Sequence, residues 1–319
     1  MFNPHRGLKM QNVLVTGVAG FIGSNLAERL LREGHRVVGL DNLAYGLHEQ
    51  IPVGVEFHKA DVRSPDIYPL FDKIDIVFHL AAKNFITDCQ NDPVETADIN
   101  VTGTANVFEA ARRAKIKKLI YAESSSIYEG AKSLPTPEED EHPETFYAAS
   151  KMATKFFAQA YARWYGLKWT ALRYFCVYGP RQDYRRTIPP VFSAFIIKLL
   201  KNERPTIYGS GDKRRDFIHV DDVNDFHFLC MQNDKTIGKV YNLGSGENCS
   251  VNEIFANVRD LLGSKLEPIY KADLPGEALT TLANIDKAKK LGWSPRVRLK
   301  QGLQSSVDFI KGEMAAGRL

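Results

Sequence analysis

Residues Val13–Gly23 read VLVTGVAGFIG, and this stretch decides the fold. A short β-branched run leads into three glycines, Gly17, Gly20 and Gly23, and an amphipathic helical pattern over Ile22–Glu33 follows. Glycine is needed in such a turn because it adopts φ angles that a Cβ forbids, and because bare backbone lets a pyrophosphate approach the N-terminus of the helix. The stretch therefore predicts a strand, a phosphate-binding turn and a helix.

Outward from this turn, strand patterns alternate with longer helical patterns, which predicts an α/β fold with a doubly wound parallel sheet of the Rossmann type. The predicted strands are Val13–Thr16, Arg36–Leu40, Val55–Lys59, Ile74–Leu80, Lys118–Ala122 and Trp169–Tyr174. The predicted helices between them are Ile22–Glu33, Pro93–Ala114 and Glu144–Tyr165.

After about residue 175 the pattern changes to short strands, Pro/Gly loops and scattered helices. These helices are predicted at Pro189–Asn202, Asp221–Met231, Val251–Leu262 and Asp286–Leu291. We therefore divide the chain into a nucleotide-binding domain, residues 12–175, and a smaller α/β domain for the substrate, residues 176–319. Some segments of the second part are free to return to the main sheet.

Composition excludes several classes of protein. The chain has 319 residues, 44% of them apolar, and a net charge of +4 from 42 basic and 38 acidic residues. A core of this size argues against disorder, and so small a charge excess argues against nucleic acid as a partner. The four cysteines form no CxxC pair, and no apolar run reaches membrane-spanning length. We expect no metal site, no membrane partner and a reducing, cytoplasmic location.

A carboxylate at the end of the second predicted strand favours one dinucleotide over another. Asp41 can accept hydrogen bonds from ribose hydroxyls and would repel a 2′-phosphate, so NAD is favoured over NADP. Asp61 and Val62 follow the third strand, and the small residues in Leu80–Ala82 end the fourth and leave room for a cofactor. Taken alone, these last two features fit ordinary packing equally well.

Tyr147 and Lys151 form a YxxxK motif on a predicted helix, so both side chains share one face. A nearby ammonium stabilises a phenolate, which lowers the pKa of the tyrosine and makes it a general base. The serines Ser124–Ser126 end the fifth predicted strand, where a hydroxyl can relay a proton or hold a substrate oxygen. A capping or turn cluster is the structural alternative for the serines.

Several motifs occur in the order found in one family. They are VTGVAGFIGSNL (Val15–Leu26), DN (Asp41-Asn42), HLAA (His79–Ala82), NVTGT (Asn100–Thr104), ESSSIY (Glu123–Tyr128), YAASK (Tyr147–Lys151), LRYFCVYGPRQ (Leu172–Gln182) and RRDFIHVDDV (Arg214–Val223). With these motifs the chain resembles an extended short-chain dehydrogenase/reductase of the NAD-dependent nucleotide-sugar epimerase/dehydratase family, over nearly its whole length.

The resemblance implies a set of residues for each role. Ser124, Tyr147 and Lys151 would be catalytic, with Tyr147 as the base and Ser124 as the proton relay. NAD would be held by Gly17, Gly20, Phe21, Ile22, Gly23, Asp41, Asn42, Asp61, Val62, Leu80, Ala81, Ala82, Asn100, Tyr147, Lys151, Tyr174 and Val177. The substrate, a nucleotide-diphosphate sugar and most simply a UDP-sugar, would contact Ser124, Ser125, Ser126, Tyr147, Cys176, Arg215 and Thr281.

Within this family the sequence favours 4-epimerisation, in which C4 is transiently oxidised and the hydride returns to either face. Dehydratases and decarboxylases of the family carry an acid one or two positions after the relay hydroxyl, where this chain has Ser125 and Ser126. Glu123 precedes the relay serine, and strand alternation predicts that it points elsewhere. A 4,6-dehydratase, a decarboxylase and a 4-ketoreductase of the same family stay open as alternatives. A non-catalytic NAD sensor is the alternative from another class, although a sensor would be expected to lose the Tyr or the Lys.

The predicted substrate domain departs from the family at two places. Arg215 matches a family arginine for the diphosphate, but Cys176 replaces the usual asparagine and Leu274 a usual arginine, so two phosphate contacts are lost. For the loop cations Arg181, Arg185, Arg186, Lys213 and Arg214, solvated surface charge is the favoured interpretation.

Two further features concern the sugar and the assembly. Thr281 matches the position that in the family limits bulk next to the sugar 2-substituent, and a small residue there resembles epimerases that accept an N-acetylhexosamine. The helices predicted at Pro93–Ala114 and Glu144–Tyr165 would, as in the family, pair with a second copy, so a homodimer is expected.

Overall fold

The computed structural model of the protein describes residues 9–186, 189–273 and 278–319. Its strands are β1 (Asn12–Thr16), β2 (Arg36–Asp41), β3 (Glu56–Lys59), β4 (Ile76–His79), β5 (Lys118–Ser124), β6 (Trp169–Tyr174), β7 (Cys176–Tyr178), β8 (Thr206–Tyr208), β9 (Arg214–Arg215), β10 (Phe217–His219), β11 (Lys239–Leu243), β12 (Cys249–Ser250) and β13 (Ile269–Lys271).

The helices flank these strands. They are α1 (Phe21–Arg32), α2 (Ile86–Asn91), α3 (Pro93–Ala97), α4 (Gly103–Ala114), α5 (Phe146–Tyr165), α6 (Val191–Leu200), α7 (Val220–Gln232), α8 (Val251–Leu262), α9 (Asp286–Lys289) and α10 (Leu299–Ala315). In the described ranges, no helix is both long and apolar enough to cross a lipid bilayer.

The main sheet has seven parallel strands in the order β11-β6-β5-β4-β1-β2-β3. The chain runs from β1 outward to β3 and then returns to the other side of β1 with β4. This reversal next to β1 is the switch point of a doubly wound sheet, where a crevice opens at the carboxyl ends of the strands. The fold class predicted from the sequence is confirmed.

The alternation of β1 explains how both faces of the sheet are covered. Val13 and Val15 belong to one buried apolar cluster and Leu14 to another, because successive side chains of a strand point to opposite faces. Helices α1 and α7 pack against one another beside the first cluster, and α4 packs against α5 beside the second. The predicted strands from Val13 to Tyr174 are all present, with ends shifted by at most two residues.

Two differences from the predicted elements have physical reasons. The helix expected over Pro93–Ala114 is divided into α3 and α4 by a π-helical turn at Asp98–Thr102. In that turn Asn100 accepts a hydrogen bond from the Lys83 backbone nitrogen and donates one to its carbonyl, at 2.8 and 2.9 Å. The helix expected from Glu144 begins at Phe146, because the Thr145 hydroxyl caps it.

The segments after residue 175 belong either to the main sheet and its core or to a separate apolar cluster. Strand β11 pairs with β6 and extends the main sheet, and Phe226 of α7 and Trp293 join its core. Helices α6, α8 and α10 bury a separate apolar cluster that includes Phe195, Phe255 and Leu303. Helix α10 was not predicted from the sequence. The domain boundary between residues 175 and 176 stays a prediction. Segments after residue 176, such as β11, belong to the main sheet.

Candidate active site

A cavity of about 670 Å³ opens at the carboxyl ends of β1, β4, β5 and β6, at the switch point of the sheet. Its walls come from the turn before α1, from the strand ends, and from segments after residue 175. Sites between the strand ends of an open α/β sheet and a second group of elements are where ligands of such folds bind. The predicted site residues are therefore expected to meet at this cavity.

The glycine turn forms one wall of this cavity, and its packing requires glycine. Gly17 has φ +73°, and a Cβ there would lie 2.8 Å from the backbone nitrogen of Ala81. A Cβ on Gly23 would lie 2.1 Å from the carbonyl oxygen of Gly17. Helix α1 starts at Phe21 with no side-chain cap, so its first N–H groups face the cavity without an intramolecular side-chain acceptor. This cradle fits the pyrophosphate of a dinucleotide.

Asp41 and Asn42 follow β2 and form the next part of the wall. The Asp41 carboxylate accepts hydrogen bonds from the backbone nitrogens of Ala19 and Leu43, at 3.0 and 2.8 Å. Burial raises the pKa of Asp41, and these two amides oppose that effect. Each oxygen keeps a lone pair for a ligand hydroxyl, so the donor set fits an adenosine ribose.

Asp61 also lines the cavity, but its oxygens are already engaged. Arg63 donates to both of them, and the Asn42 amide donates at 2.9 Å. The Arg63 hydrogen bonds hold the pKa of Asp61 far below its ordinary value. Arg63 is in turn fixed by Asp98 at 2.9 Å. Asp61 thus positions Asn42 as well as bordering the cavity, and Arg63 was not among the residues predicted from the sequence.

Tyr147 and Lys151 of α5 lie at the cavity wall beside the end of β5, where Ser124 stands. The Lys151 ammonium donates to the carbonyl of Ala122 at 3.0 Å. Burial raises the pKa of Tyr147 to about 12, while a hydrogen bond with Ser124 and the charge of Arg186 act in the opposite direction. Burial also lowers the pKa of Lys151 to about 8.

Both pKa shifts arise because the side chains of Tyr147 and Lys151 are removed from water at the cavity wall. The phenol of Tyr147 keeps its proton at neutral pH unless further positive charge is bound nearby. The ammonium of Lys151 is close to losing its proton, so its charge depends on what occupies the cavity. A positively charged ring such as that of NAD is the kind of group that would change the balance at Tyr147.

The serines after β5 face the same space. The Ser124 hydroxyl accepts from the backbone nitrogen of Ser126 at 3.2 Å. The Ser126 hydroxyl oxygen is buried and has no hydrogen-bond partner within the described part of the chain. A buried orphan hydroxyl at a cavity wall fits a ligand hydroxyl as its missing partner.

Glu123 points away from the serines, as strand alternation predicts. Its carboxylate accepts from the Tyr121 hydroxyl at 2.9 Å and from Arg173 Nε at 2.7 Å, and the side chains of Glu123 and Arg173 are fully buried. Glu123 therefore neutralises a buried arginine beneath the site.

The structure brings nearly all predicted residues to one cavity. Its wall includes Gly17, Gly20, Phe21, Ile22, Gly23, Asp41, Asn42, Asp61, Val62, Leu80, Ala81, Ala82, Ser124, Ser125, Ser126, Tyr147, Lys151, Tyr174, Cys176, Val177, Arg215 and Thr281. Asn100 is the exception. Its amide is engaged with the Lys83 backbone and with the Ser150 hydroxyl, so it supports the wall from behind instead of lining it.

The predicted substrate residues from the second part of the chain, Cys176, Arg215 and Thr281, also line the cavity. The Cys176 backbone nitrogen donates to the carbonyl of Asp216 at 3.0 Å, and the Thr281 hydroxyl accepts from the Asp216 nitrogen at 3.2 Å. The buried Asp216 carboxylate accepts four hydrogen bonds, from the backbone and side chain of Ser245 and the backbone nitrogens of residues 246 and 283. Asp216 is thus an organising residue that the sequence analysis missed. Leu274 lies outside the described residues.

The loop after β7 carries three of the cations for which solvated surface charge was expected, and two of them, Arg181 and Arg186, line the cavity. Arg186 lines the cavity, whereas Arg185 pairs with Glu49 at 2.8 Å and does not line it. Arg181 lines it too, and it pairs with Glu28 of α1. Three similar cations within six positions therefore have different surroundings.

A doubly wound sheet, a glycine turn at the switch point and a Ser–Tyr–Lys set at the end of β5 define a dinucleotide-dependent protein of the short-chain dehydrogenase/reductase type. The model of the NAD-dependent epimerase/dehydratase family matches residues 13–244. The chain belongs to this family, and its cofactor is NAD. The family resemblance stated from the sequence motifs is confirmed.

Known relatives match along almost the whole chain. A putative UDP-glucose 4-epimerase of Methanocaldococcus jannaschii is 37% identical over 303 residues, which cover 94% of this chain and 98% of that protein. A UDP-glucuronate 4-epimerase of Thermodesulfobacterium geofontis is 35% identical over 319 residues, covering 93% and 95%. The structure of UDP-N-acetylglucosamine 4-epimerase from Methanobrevibacter ruminantium, in complex with UDP-N-acetylmuramic acid, superposes with a TM-score of 0.92 at 31% identity, covering 96% and 100%.

Proposed function

We propose that the protein is an NAD-dependent 4-epimerase of a UDP-linked hexose or N-acetylhexosamine. The observation that carries this proposal is the side-chain set after β5. Ser124, Tyr147 and Lys151 share one cavity wall, and the two positions after Ser124 carry hydroxyls instead of acids. A hydroxyl does not ionise near neutral pH, so it cannot serve as the extra acid that elimination or decarboxylation requires.

In this proposal the residues of the chain handle a proton while the sugar carbon changes oxidation state. NAD, when bound, supplies the acceptor for the C4 hydride and gives that hydride back. Tyr147 takes the proton of the C4 hydroxyl and returns it, with the Ser124 hydroxyl as relay. The ammonium of Lys151 stabilises the phenolate form of Tyr147. The orphan hydroxyl of Ser126 binds a sugar hydroxyl and holds the ring in place.

Membership of the family does not identify the sugar, because the three relatives described above are named as epimerases of three different UDP-sugars. Thr281 supports the N-acetylhexosamine. Its side chain is small, lines the cavity, and is held by the backbone of Asp216 at 3.2 Å, so it leaves volume where a large residue would fill it. Arg215 on the same wall supplies a cation for the diphosphate.

The test of the function is a product analysis. Purified protein with NAD is incubated separately with UDP-GlcNAc and UDP-Gal, and products are identified by proton NMR of the anomeric and H4 signals. We expect a C4 epimer from at least one sugar and no net NADH at 340 nm. Accumulating NADH or a stable ketone would favour a 4-ketoreductase or dehydrogenase instead. Y147F is the control and is expected to lose at least about 100-fold in rate. NAD binding with no turnover of any UDP-sugar would favour a sensor.

We also propose a homodimer through α5. Its outer face exposes Phe156, Phe157, Trp164 and Tyr165, and Val94 of α3 is exposed as well. Trp164 is 75% exposed, and exposed aromatic side chains in such number on one helix are typical of an interface. Sedimentation velocity is expected to give a dimer for the native protein and a monomer for W164D. The control V53D alters an exposed apolar residue elsewhere and is expected to stay dimeric.

We also propose that the protein acts in the cytoplasm. No disulfide joins the four cysteines, all of which lie in the described ranges, and Cys89 and Cys230 are buried. A protein with four cysteines and no disulfide among them is suited to a reducing compartment.

A further inference from the structure

Glu129 lines the cavity and joins the serine turn after β5 to the start of α5. Its backbone nitrogen donates to the carbonyl of Ser126 at 3.1 Å. Its carboxylate accepts three hydrogen bonds from the other segment: the Thr145 hydroxyl at 3.0 Å, the Thr145 backbone nitrogen at 2.9 Å and the Glu144 backbone nitrogen at 3.2 Å. One residue is therefore tied to both segments that carry the Ser–Tyr–Lys set.

Thr145 is the residue through which Glu129 reaches the helix. The Thr145 hydroxyl caps α5 by accepting from the Ala148 backbone nitrogen at 3.2 Å. Donating its one proton to Glu129 leaves the lone pairs of that hydroxyl oxygen for the Ala148 N–H. Tyr147 lies two positions after Thr145, in the first turn of the helix, where backbone N–H groups have no acceptor within the helix. Glu129 thus stabilises the turn that carries the phenol.

The segment before α5 runs close beside the serine turn. The His142 backbone nitrogen donates to the carbonyl of Ile127 at 2.8 Å, and the Gly130 nitrogen donates to the carbonyl of His142 at 3.0 Å. A Cβ on Gly130 would lie 2.6 Å from a carboxylate oxygen of Glu144. These backbone contacts fix the spacing of the two segments, so a side chain shorter than that of Glu129 would not reach the same donors.

The negative charge of Glu129 does not favour the phenolate of Tyr147. Burial raises the pKa of Glu129, and its hydrogen bonds with Thr145 and Glu144 oppose that effect. The charge of Glu129 in turn raises the pKa of Tyr147, in the same direction as burial does. A contribution of Glu129 to the rate would therefore come from the geometry that its hydrogen bonds impose.

We propose that Glu129 is a positioning residue, which fixes the Tyr147 phenol relative to the Ser124 hydroxyl. It acts through its hydrogen bonds with Thr145, and the inference rests on the proposed function. A proton relay needs its oxygens at hydrogen-bond distance, and a misplacement of about 1 Å costs on the order of 100-fold in rate. Neither the YxxxK motif nor the serine cluster contains this residue.

The kinetic test compares the native protein with E129A, E129Q and E139A, each with NAD and with UDP-GlcNAc or UDP-Gal. E129A is expected to lower kcat roughly 10- to 100-fold, while KM and NAD affinity change by less than about threefold. Glutamine can accept the two backbone N–H groups with its amide oxygen and donate to the Thr145 hydroxyl, so E129Q should recover kcat to within about threefold of native. E139A is the matched control and should keep native kcat, because Glu139 is exposed and is not among the described residues that line the cavity.

A second comparison tests whether Glu129 acts through Thr145. T145A keeps the carboxylate but removes the cap, and its kcat should fall by a factor similar to that of E129A. The double variant E129A/T145A should lose no more than about threefold beyond the larger single loss, because the two residues act as one unit. Single losses that multiply would overturn the inference, as would native kcat in E129A. A loss in E129Q as large as in E129A would show that the charge acts and not the geometry, which also overturns it.

Amide hydrogen exchange gives a readout that needs no turnover. In nucleotide-free E129A the amide protons of residues 145–148 should exchange at least about fivefold faster than in the native protein, whereas E129Q and E139A should match the native rates. Unchanged exchange in E129A would refute the contact on which the inference depends. If the native protein epimerises neither sugar, the proposed function is refuted, and hydrogen exchange then decides separately whether Glu129 holds the first turn of α5.

Discussion

Replacing Lys151 with methionine is expected to stabilise the folded protein while abolishing activity. The ammonium is buried, and its pKa is lowered by burial to about 8 from 10.5. That difference corresponds to about 3 kcal/mol of unfavourable free energy at neutral pH. Methionine removes this cost, but it also removes the hydrogen bond to the Ala122 carbonyl, about 1 kcal/mol. The net expectation for K151M is a gain of about 2 kcal/mol.

The lowered pKa of Lys151 also determines how the stability of the folded protein changes with pH. Below pH 8 the lysine is protonated in both folded and unfolded chains, so the full cost is present. Between about pH 8 and 10.5 the unfolded chain binds the proton more often than the folded one, so native stability rises with pH. Above pH 10.5 both forms are neutral and the cost is gone. The advantage of K151M should therefore be largest at pH 7 and shrink steadily above pH 8.

The assay is thermal unfolding of nucleotide-free protein by circular dichroism at pH 7, 8.5 and 10. For a chain of this size, about 2 kcal/mol corresponds to roughly 4 °C in Tm at pH 7. K118M is the matched control, because the Lys118 ammonium donates to Cys230 O, Asn233 O and the Thr236 hydroxyl. K118M removes three hydrogen bonds, whereas K151M removes one, and K118M should therefore lower Tm. A K151M protein less stable than the native one at pH 7, or a gain independent of pH, would refute the reasoning.

Three other expectations concern the cofactor and the proton relay. G23A should lower NAD affinity at least about tenfold by calorimetry, because its Cβ would lie 2.1 Å from a backbone oxygen of the turn; G312A, with no atom within 4 Å, should bind NAD normally and gain up to about 1 kcal/mol in stability. D41S should raise the affinity for NADP relative to NAD by about tenfold or more in parallel titrations, and an unchanged ratio would contradict the role given to Asp41. In S124A the hydrogen bond that lowers the pKa of Tyr147 is lost, so the acid limb of the kcat profile should move to higher pH; an unshifted limb would exclude Ser124 as the partner of the phenol.

The central sheet could be predicted from sequence because its signals are local. Runs such as VLVT (Val13–Thr16) are short and apolar, and neighbouring residues alone indicate that they form strands. Strand β11 was missed because KVYNL is short and because its pairing with β6 joins residues more than 60 positions apart in the chain. Helix α10 contains Gly302, Gly312 and two serines, and these residues have low helix propensity. It forms because Leu303, Val307 and Ile310 are buried on one face.

Some residues of the candidate site could likewise be predicted from local motifs, and others could not. Residues that act through type and spacing could be predicted, since a GxxGxxG turn or a YxxxK pair has a geometry fixed by one strand and one helix. Asn100 belongs to such a motif, yet the π-helical turn at Asp98–Thr102 directs its amide to the backbone of Lys83. Asp216 could not be predicted either, because its partners come from loops around residues 245 and 283.

The residues that determine specificity for the sugar are the hardest to predict from local sequence. Arg181, Arg185 and Arg186 are chemically alike, but Arg181 pairs with Glu28 of α1, Arg185 pairs with Glu49, and Arg186 contacts Asn84 as well as the nearby Asp183. Their different surroundings depend on the path of one loop past separate elements of the fold. The proposed reaction rests on motifs of the sheet and of α5, and we expect the choice of sugar to depend on loops such as this one, whose contacts are mostly distant in sequence. Exchanging that loop between relatives with different sugars should therefore change the substrate before it changes the reaction.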